Sequence, residues 1–104
     1  MAKIDPILSE FRAILDAMYG ARLDRVVLFG SRARGDFRPD SDFDIAVFLS
    51  DCPDRWVEAD RLADAATQVM GKTGAFIHAM PYRAAQYAER SPLMHEIRGE
   101  GLEL

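Results

Sequence analysis

The chain contains a single cysteine, Cys52, among its 104 residues. That excludes an internal disulfide framework and suits a reducing compartment. Cys52 itself reads as a small, partly buried residue at the end of a strand. No stretch approaches the roughly 20 apolar residues of a membrane span. The start, Met1-Ala2-Lys3-Ile4-Asp5-Pro6, lacks the apolar centre of a signal peptide. No membrane association is expected, and a cytoplasmic location is. A basic surplus is missing too: the net charge is −4, whereas nucleic-acid binders ordinarily carry cations to replace phosphate counterions. Direct nucleic-acid binding is therefore not expected. There are no internal repeats and no low-complexity segments, and the length predicts one domain over residues 1–104.

What is present is an alternation of helical and strand patterns. Asp5 is a good N-cap before Pro6, and Ile7, Leu8, Phe11, Ile14, Leu15 and Met18 then recur at helical spacing until Gly20. Arg25 to Gly30 is short, apolar and β-branched, which predicts a buried strand. Ser31 to Ser41 is a polar, arginine-rich loop with one helical turn predicted at Ser31. Asp42 to Leu49 predicts a second strand, apolar enough in its second half to be covered on both faces. A helix capped by Asp54 is predicted to turn Trp56, Ala59, Leu62, Ala66, Val69 and Met70 inward and to end near Gly71. The acidic residues from Asp51 to Asp64 read as its solvated face. Gly74 to Met80 predicts a third strand broken at Pro81. Arg83 to Arg98 predicts one or two short helices interrupted at Ser91-Pro92, with Tyr82 and Tyr87 in this terminal region.

Chemistry concentrates between Gly30 and Asp44. Residues two apart in a strand share a face about 7 Å apart, so Asp42 and Asp44 present two carboxylates together. Their repulsion is relieved by a cation between them. Magnesium fits, since it takes hard oxygen ligands and commonly one or two carboxylates plus phosphate oxygens. At the other end, a strand ending in Gly30-Ser31 and turning into a helix offers backbone N–H groups and a hydroxyl to an anion. Arg32, Arg34 and Arg38 supply positive charge nearby, and the sequence leaves open which of them faces inward. Ser41 is placed to orient the strand start. Asp36 and Asp40 read as turn residues. A phosphate cradle followed ten residues later by a carboxylate pair suits triphosphate chemistry.

The pattern Gly-Ser, ten residues, Asp-x-Asp resembles the signature of the DNA polymerase β-like nucleotidyltransferase superfamily. Its fuller form here, GSRARGDFRPDSDFDIAVF, resembles the minimal nucleotidyltransferase (MNT) branch, and the resemblance covers essentially the whole chain. It implies an α/β (α+β) fold, a small mixed sheet flanked by helices. It implies Asp42 and Asp44 as catalytic metal ligands for Mg2+, and Gly30, Ser31, Arg32 and Ser41 around the triphosphate of ATP or another NTP. The reaction would move a nucleoside monophosphate to an acceptor hydroxyl and release pyrophosphate. MNT proteins are commonly paired with HEPN-domain toxins, which implies a HEPN partner, a tyrosine hydroxyl as acceptor and an antitoxin role. A homo-oligomer is a further option.

The sequence departs from the superfamily pattern at the third carboxylate. Many members carry an aspartate on the following strand, but no Asp or Glu lies between Asp64 and Glu89 here. His78 stands in the corresponding segment. A histidine can act as a general base, although imidazole is a poorer magnesium ligand than carboxylate, and a strand histidine satisfied by a neighbour is the alternative. That departure leads to an alternative, an antitoxin of the same fold acting by binding alone; transfer to a small molecule, which related superfamily members perform, is a further alternative.

Overall fold

A computed structural model describes residues 5–104; the stretch Met1–Ile4, considered above for a leader, lies outside them. Helix α1 (Pro6–Tyr19) is capped by Asp5, whose side chain accepts from the Ile7 N–H. A 3-10 turn (Gly20–Arg22) leads into β1 (Leu23–Phe29). The one-turn helix α2 (Ser31–Arg34) follows, then β2 (Phe43–Leu49), α3 (Arg55–Thr73) and β3 (Ile77–Arg83). A second 3-10 turn (Ala84–Ala88), α4 (Pro92–Glu100) and the short β4 (Leu102–Glu103) complete the chain. The strands form one mixed sheet in the order β3-β2-β1-β4. β1 runs antiparallel to β2 and β4, and β2 runs parallel to β3. This is the expected α+β architecture, with β2 central as its apolar run requires.

Strand alternation divides the core in two. Val26 and Leu28 of β1 join Phe43, Ile45, Val47 and Leu49 of β2 beneath α1 and α3. Val27 of β1 and Ala46 and Phe48 of β2 face the other way, under Tyr82, Tyr87 and the α4 residues Met94 and Ile97. Phe11, Leu15 and Phe48 are fully buried, and each such side chain contributes about 1.5–3 kcal/mol relative to exposure. Cys52 is partly buried against the first of these clusters.

Several expectations need correction. Helix α3 buries Glu58, Leu62, Ala65, Ala66 and Val69, not Trp56. Trp56 lies six positions before Leu62, about 120° round the helix, and is 78% exposed. Met70 is also on the outside. Glu58, assigned above to a solvated face, is the buried charge of this helix: it accepts from Tyr19 Oη (3.1 Å) and Arg22 Nη2 (2.6 Å) and lies within 3.4 Å of Arg61 Nη1. The helix ends at Thr73, where Gly74 takes a left-handed conformation (φ 75°), rather than near Gly71. Strand β3 runs through Pro81 and includes Tyr82. Proline is tolerated there because β3 is an edge strand, and one side of its backbone has no partner strand. Leu102–Glu103, beyond the end of α4, form an unexpected edge strand, secured by Arg25 against Glu103 (2.7 Å) and by the Leu104 N–H donating to Val26 O (2.9 Å). No helix among the described residues is long and apolar enough to cross a membrane.

Candidate active site

Strand register assembles the site. In the antiparallel β1–β2 pair Phe29 lies opposite Asp44, so the end of β1 and the start of β2 are side by side. The Gly30-Ser31 turn thereby reaches the acidic strand despite the ten intervening residues. In the parallel β2–β3 pair His78 lies opposite Asp44. Three strands thus bring Gly30, Asp44 and His78 to one end of the sheet. Asp44 shares the face of Ala46 and Phe48, which α4 and the second 3-10 turn cover farther along. At the strand start that cover has ended: the side chains of Asp44 and His78 are 35% and 64% exposed.

Gly30 makes the closest approach. It adopts φ 72°, a left-handed conformation that L side chains avoid. A Cβ built on it would sit 2.6 Å from Asp44 Oδ2, so the carboxylate occupies the volume a side chain would need. His78 Nδ1 lies 3.6 Å from Asp44 Oδ1, an ion pair only when the imidazole is protonated. Asp42 is exposed immediately before β2, and continued alternation places it on Asp44's face.

The remaining sequence candidates are arranged within the loop itself. The helical turn α2 closes with the Ala33 and Arg34 N–H groups donating to Gly30 O, leaving Ser31 half-buried at its start. Ser41 Oγ accepts from the Arg38 N–H (2.9 Å). Arg32 donates to Ser41 O from both Nε (3.2 Å) and Nη2 (3.0 Å), and to Pro39 O (3.2 Å). Its guanidinium also lies 4.3 Å from the ring centroids of both Phe37 and Phe43. Arg34 turns away toward Asp36, Glu96 and Glu100, tying α2 to α4. Sequence reasoning left open which arginine faced where. The Arg32–Phe37–Phe43 stack has no fixed spacing that could have revealed it.

A cleft of about 440 Å3 opens beside this loop, lined among others by Ile7, Arg32, Ser41, Phe43, Gly74 and Phe76. Its lining does not include Asp44 or His78.

Among the described residues no group of three or more His, Cys, Asp and Glu side chains forms a metal cage. Magnesium is usually held by one or two carboxylates with substrate phosphates supplying further oxygens, not by an all-protein cage. Asp42 and Asp44 are carboxylates that would suit such a role, and the missing side chain of Gly30 leaves its backbone against Asp44. The residues present fit a magnesium–triphosphate complex.

The chain is similar to several known proteins. Two proteins of Methanocaldococcus jannaschii are similar in sequence. "Putative protein adenylyltransferase MJ0141" is 39% identical over 51 residues, covering 49% of this chain and 52% of that protein. "Putative protein adenylyltransferase MJ0604" is 36% identical over 73 residues, 70% of this chain and 67% of that protein. The chain thus spans about half the length of the first and 67% of the second. Solved structures share the fold. A minimal nucleotidyltransferase, so described with the qualifier "putative", superposes with TM-score 0.63 at 24% identity over 100% of both chains. A toxin–antitoxin structure with AMP-PNP gives TM-score 0.61 at 21% identity, over 89% of this chain and 68% of that one. A Shewanella oneidensis complex of a tri-AMPylated HEPN toxin with its MNT antitoxin gives 0.53 at 18%, over 93% and 70%. At these identities the structural likeness establishes fold alone. The nucleotidyltransferase domain family matches residues 8–91, and with four-fifths of its length inside that match the chain belongs to the family.

Proposed function

We propose that this protein transfers AMP from ATP to a tyrosine hydroxyl of a HEPN-domain toxin and so acts as its antitoxin in the cytoplasm. The observation that carries the reading is the apposition of Gly30 and Asp44 at the open end of the sheet, with a Cβ at residue 30 excluded by the carboxylate. Support also comes from the names of the two Methanocaldococcus relatives and from structural neighbours that are toxin–antitoxin complexes, one with AMP-PNP.

Asp42 and Asp44 would hold magnesium, whose role when bound is to neutralise phosphate charge and stabilise the attacking and leaving oxygens. Gly30 and Ser31 receive the triphosphate through backbone N–H groups and the Ser31 hydroxyl. The acceptor oxygen attacks the α-phosphorus; the bond from that phosphorus to the bridging oxygen breaks, and pyrophosphate leaves. His78, beside Asp44, takes the acceptor's proton. Phosphoryl-group transfer needs positioning and charge neutralisation more than covalent help from the protein, which a small site can supply. The partner then completes the acceptor side of the site.

A second reading is favoured by one observation: His78, not a carboxylate, stands opposite Asp44. In that reading the fold is kept, catalysis is lost, and the antitoxin works by contact alone. Transfer to a small molecule is a third reading, and a dimer mate would then supply its acceptor site.

The test is a transfer assay with α-labelled ATP and magnesium. It is run on the protein alone and with the product of its neighbouring gene, and on an Asp42→Ala/Asp44→Ala variant. Label on the partner that disappears with the variant supports the enzyme. No label under any condition, with equal partner binding by both forms, leaves binding alone; label on small hydroxyl compounds without the partner leaves the third reading.

A further inference from the structure

We propose that Arg32 is a positioning residue, clamping the loop between the two halves of the site so that Asp42 stands at a fixed distance from Gly30 and Ser31. The functional consequence rests on the metal–triphosphate reading above; the clamp itself does not.

Residues 35–42 contain neither helix nor strand, yet they connect the two elements whose relative placement matters. The local turn closes on itself, Ser41 N–H to Arg38 O (3.0 Å) and Arg38 N–H to Ser41 Oγ (2.9 Å). Neither bond ties the turn to α2. Arg32, on α2, does so with three contacts to Ser41 O and Pro39 O. The Ser41 carbonyl belongs to the peptide unit whose nitrogen is that of Asp42, so holding this oxygen fixes the backbone that presents the first carboxylate.

The rings act on the same group. Phe43 is buried in the sheet core at 5% exposure, whereas Phe37 on the loop is 45% exposed. The Arg32 guanidinium is 4.3 Å from both centroids, so it joins the exposed side of the loop to an anchored residue of β2. Only a planar cation with several fixed donors can stack on rings and serve two carbonyls at once. A lysine has one rotatable ammonium and no flat face. With Nε and Nη2 directed at loop carbonyls, Arg32 acts on the triphosphate through the placement of Asp42.

The test combines hydrogen exchange in nucleotide-free protein with kinetics, for Arg32→Lys, Arg32→Met and Phe37→Ala. Phe37→Ala removes one stacking face at an exposed site and keeps the fold safe if an Arg32 variant does not. The clamp predicts that amide exchange across residues 37–42 accelerates at least about tenfold in each variant, since charge-assisted bonds hold the segment closed. Exchange in α1 and α3 should be unchanged. Arg32→Lys should fail to restore protection despite keeping the charge. In transfer kinetics, kcat should fall by more than KM for Mg–ATP rises, because misplaced metal ligands are felt mainly in the transition state. Unchanged exchange with a raised KM, rescued by Arg32→Lys, would mean direct phosphate contact and overturn the clamp. Absence of transfer by the wild type would sink the enzymatic reading, while the exchange result still decides the clamp.

Discussion

Gly30 and Asp44 share one volume: the space a side chain at residue 30 would need is filled by Asp44 Oδ2, 2.6 Å from the ideal Cβ position. Gly30→Ala should therefore cost stability chiefly through the left-handed backbone, about 1–3 kcal/mol, with a smaller steric part from turning the partly exposed Asp44 carboxylate aside. Thermal unfolding measures the loss. Adding Asp44→Ala should recover the steric part, giving a double-mutant cycle that departs from additivity. An additive cycle would show that the two residues do not compete for space.

Asp42→Asn and Asp44→Asn should each lower transfer at least about 100-fold while changing nucleotide-free stability by no more than about 0.5 kcal/mol, as exposed or half-exposed sites usually do. Mn2+ binding followed by electron paramagnetic resonance, in the presence of a non-hydrolysable ATP analogue, should weaken in both. Metal affinity that survives both substitutions would place the metal elsewhere.

His78→Asp sets a third carboxylate opposite Asp44 in the parallel pair. Without metal, like charges placed directly opposite destabilise, so the melting temperature should fall. Magnesium with an ATP analogue should then raise it by more than in the wild type, because a ligand that binds only the native state stabilises in proportion to its affinity. The differential shift is the readout. Equal shifts in both proteins would mean that residue 78 does not face the metal.

Glu58 and Tyr19 give a pH signature remote from the site. Burial raises the Glu58 pKa, but hydrogen bonds from Arg22 and Tyr19 outweigh it and hold the carboxylate below its ordinary value. The folded pKa is depressed, so the stabilisation is present above about pH 4.3 and is lost as pH falls through the folded value. For Tyr19, burial and then the Glu58 charge push the pKa up to about 12. That contribution is complete below about pH 10 and is lost as pH rises toward 12. Glu58→Ala, which leaves the buried Tyr19 hydroxyl unpaired, should cost about 2 kcal/mol at neutral pH and remove the acid-side slope in urea titrations. A slope that persists would assign acid sensitivity to other carboxylates.

Trp56→Ala should change stability by no more than about 0.5 kcal/mol, against the ~3–5 of a core tryptophan, as chemical denaturation can measure. A large loss would restore the inward orientation expected from sequence.

Short-range chemistry was readable where one residue type carries one geometric meaning. Asp5 and Asp54 cap α1 and α3 as expected, and the strand containing Asp44 is central because Ile45 to Leu49 tolerate no water on either face. The Gly30-Ser31 and Asp42–Asp44 elements could be recognised together, since a strand end and a strand start carry distinctive residues. Glu58 was misread because its burial depends on Tyr19 and Arg22, which approach only in the folded chain. Trp56 was misread because two neighbouring stripes of α3 differ by a fraction of a turn. Pro81 argued against a strand until β3 proved to be an edge, and edge position is a property of the whole sheet. The role of Arg32 was hidden for the same reason: its partners are backbone carbonyls and rings whose approach depends on loop closure.

The two margins of the sheet are unsuited to growth by strand addition. At one, Pro81 interrupts β3 with a residue that has no amide hydrogen; at the other, β4 is two residues long. Neither margin is a long uninterrupted template for an incoming strand, so self-templated polymerisation is disfavoured at both. Contacts that do not depend on strand register are thereby favoured for this chain, on its helices, its loops and the open end of the sheet.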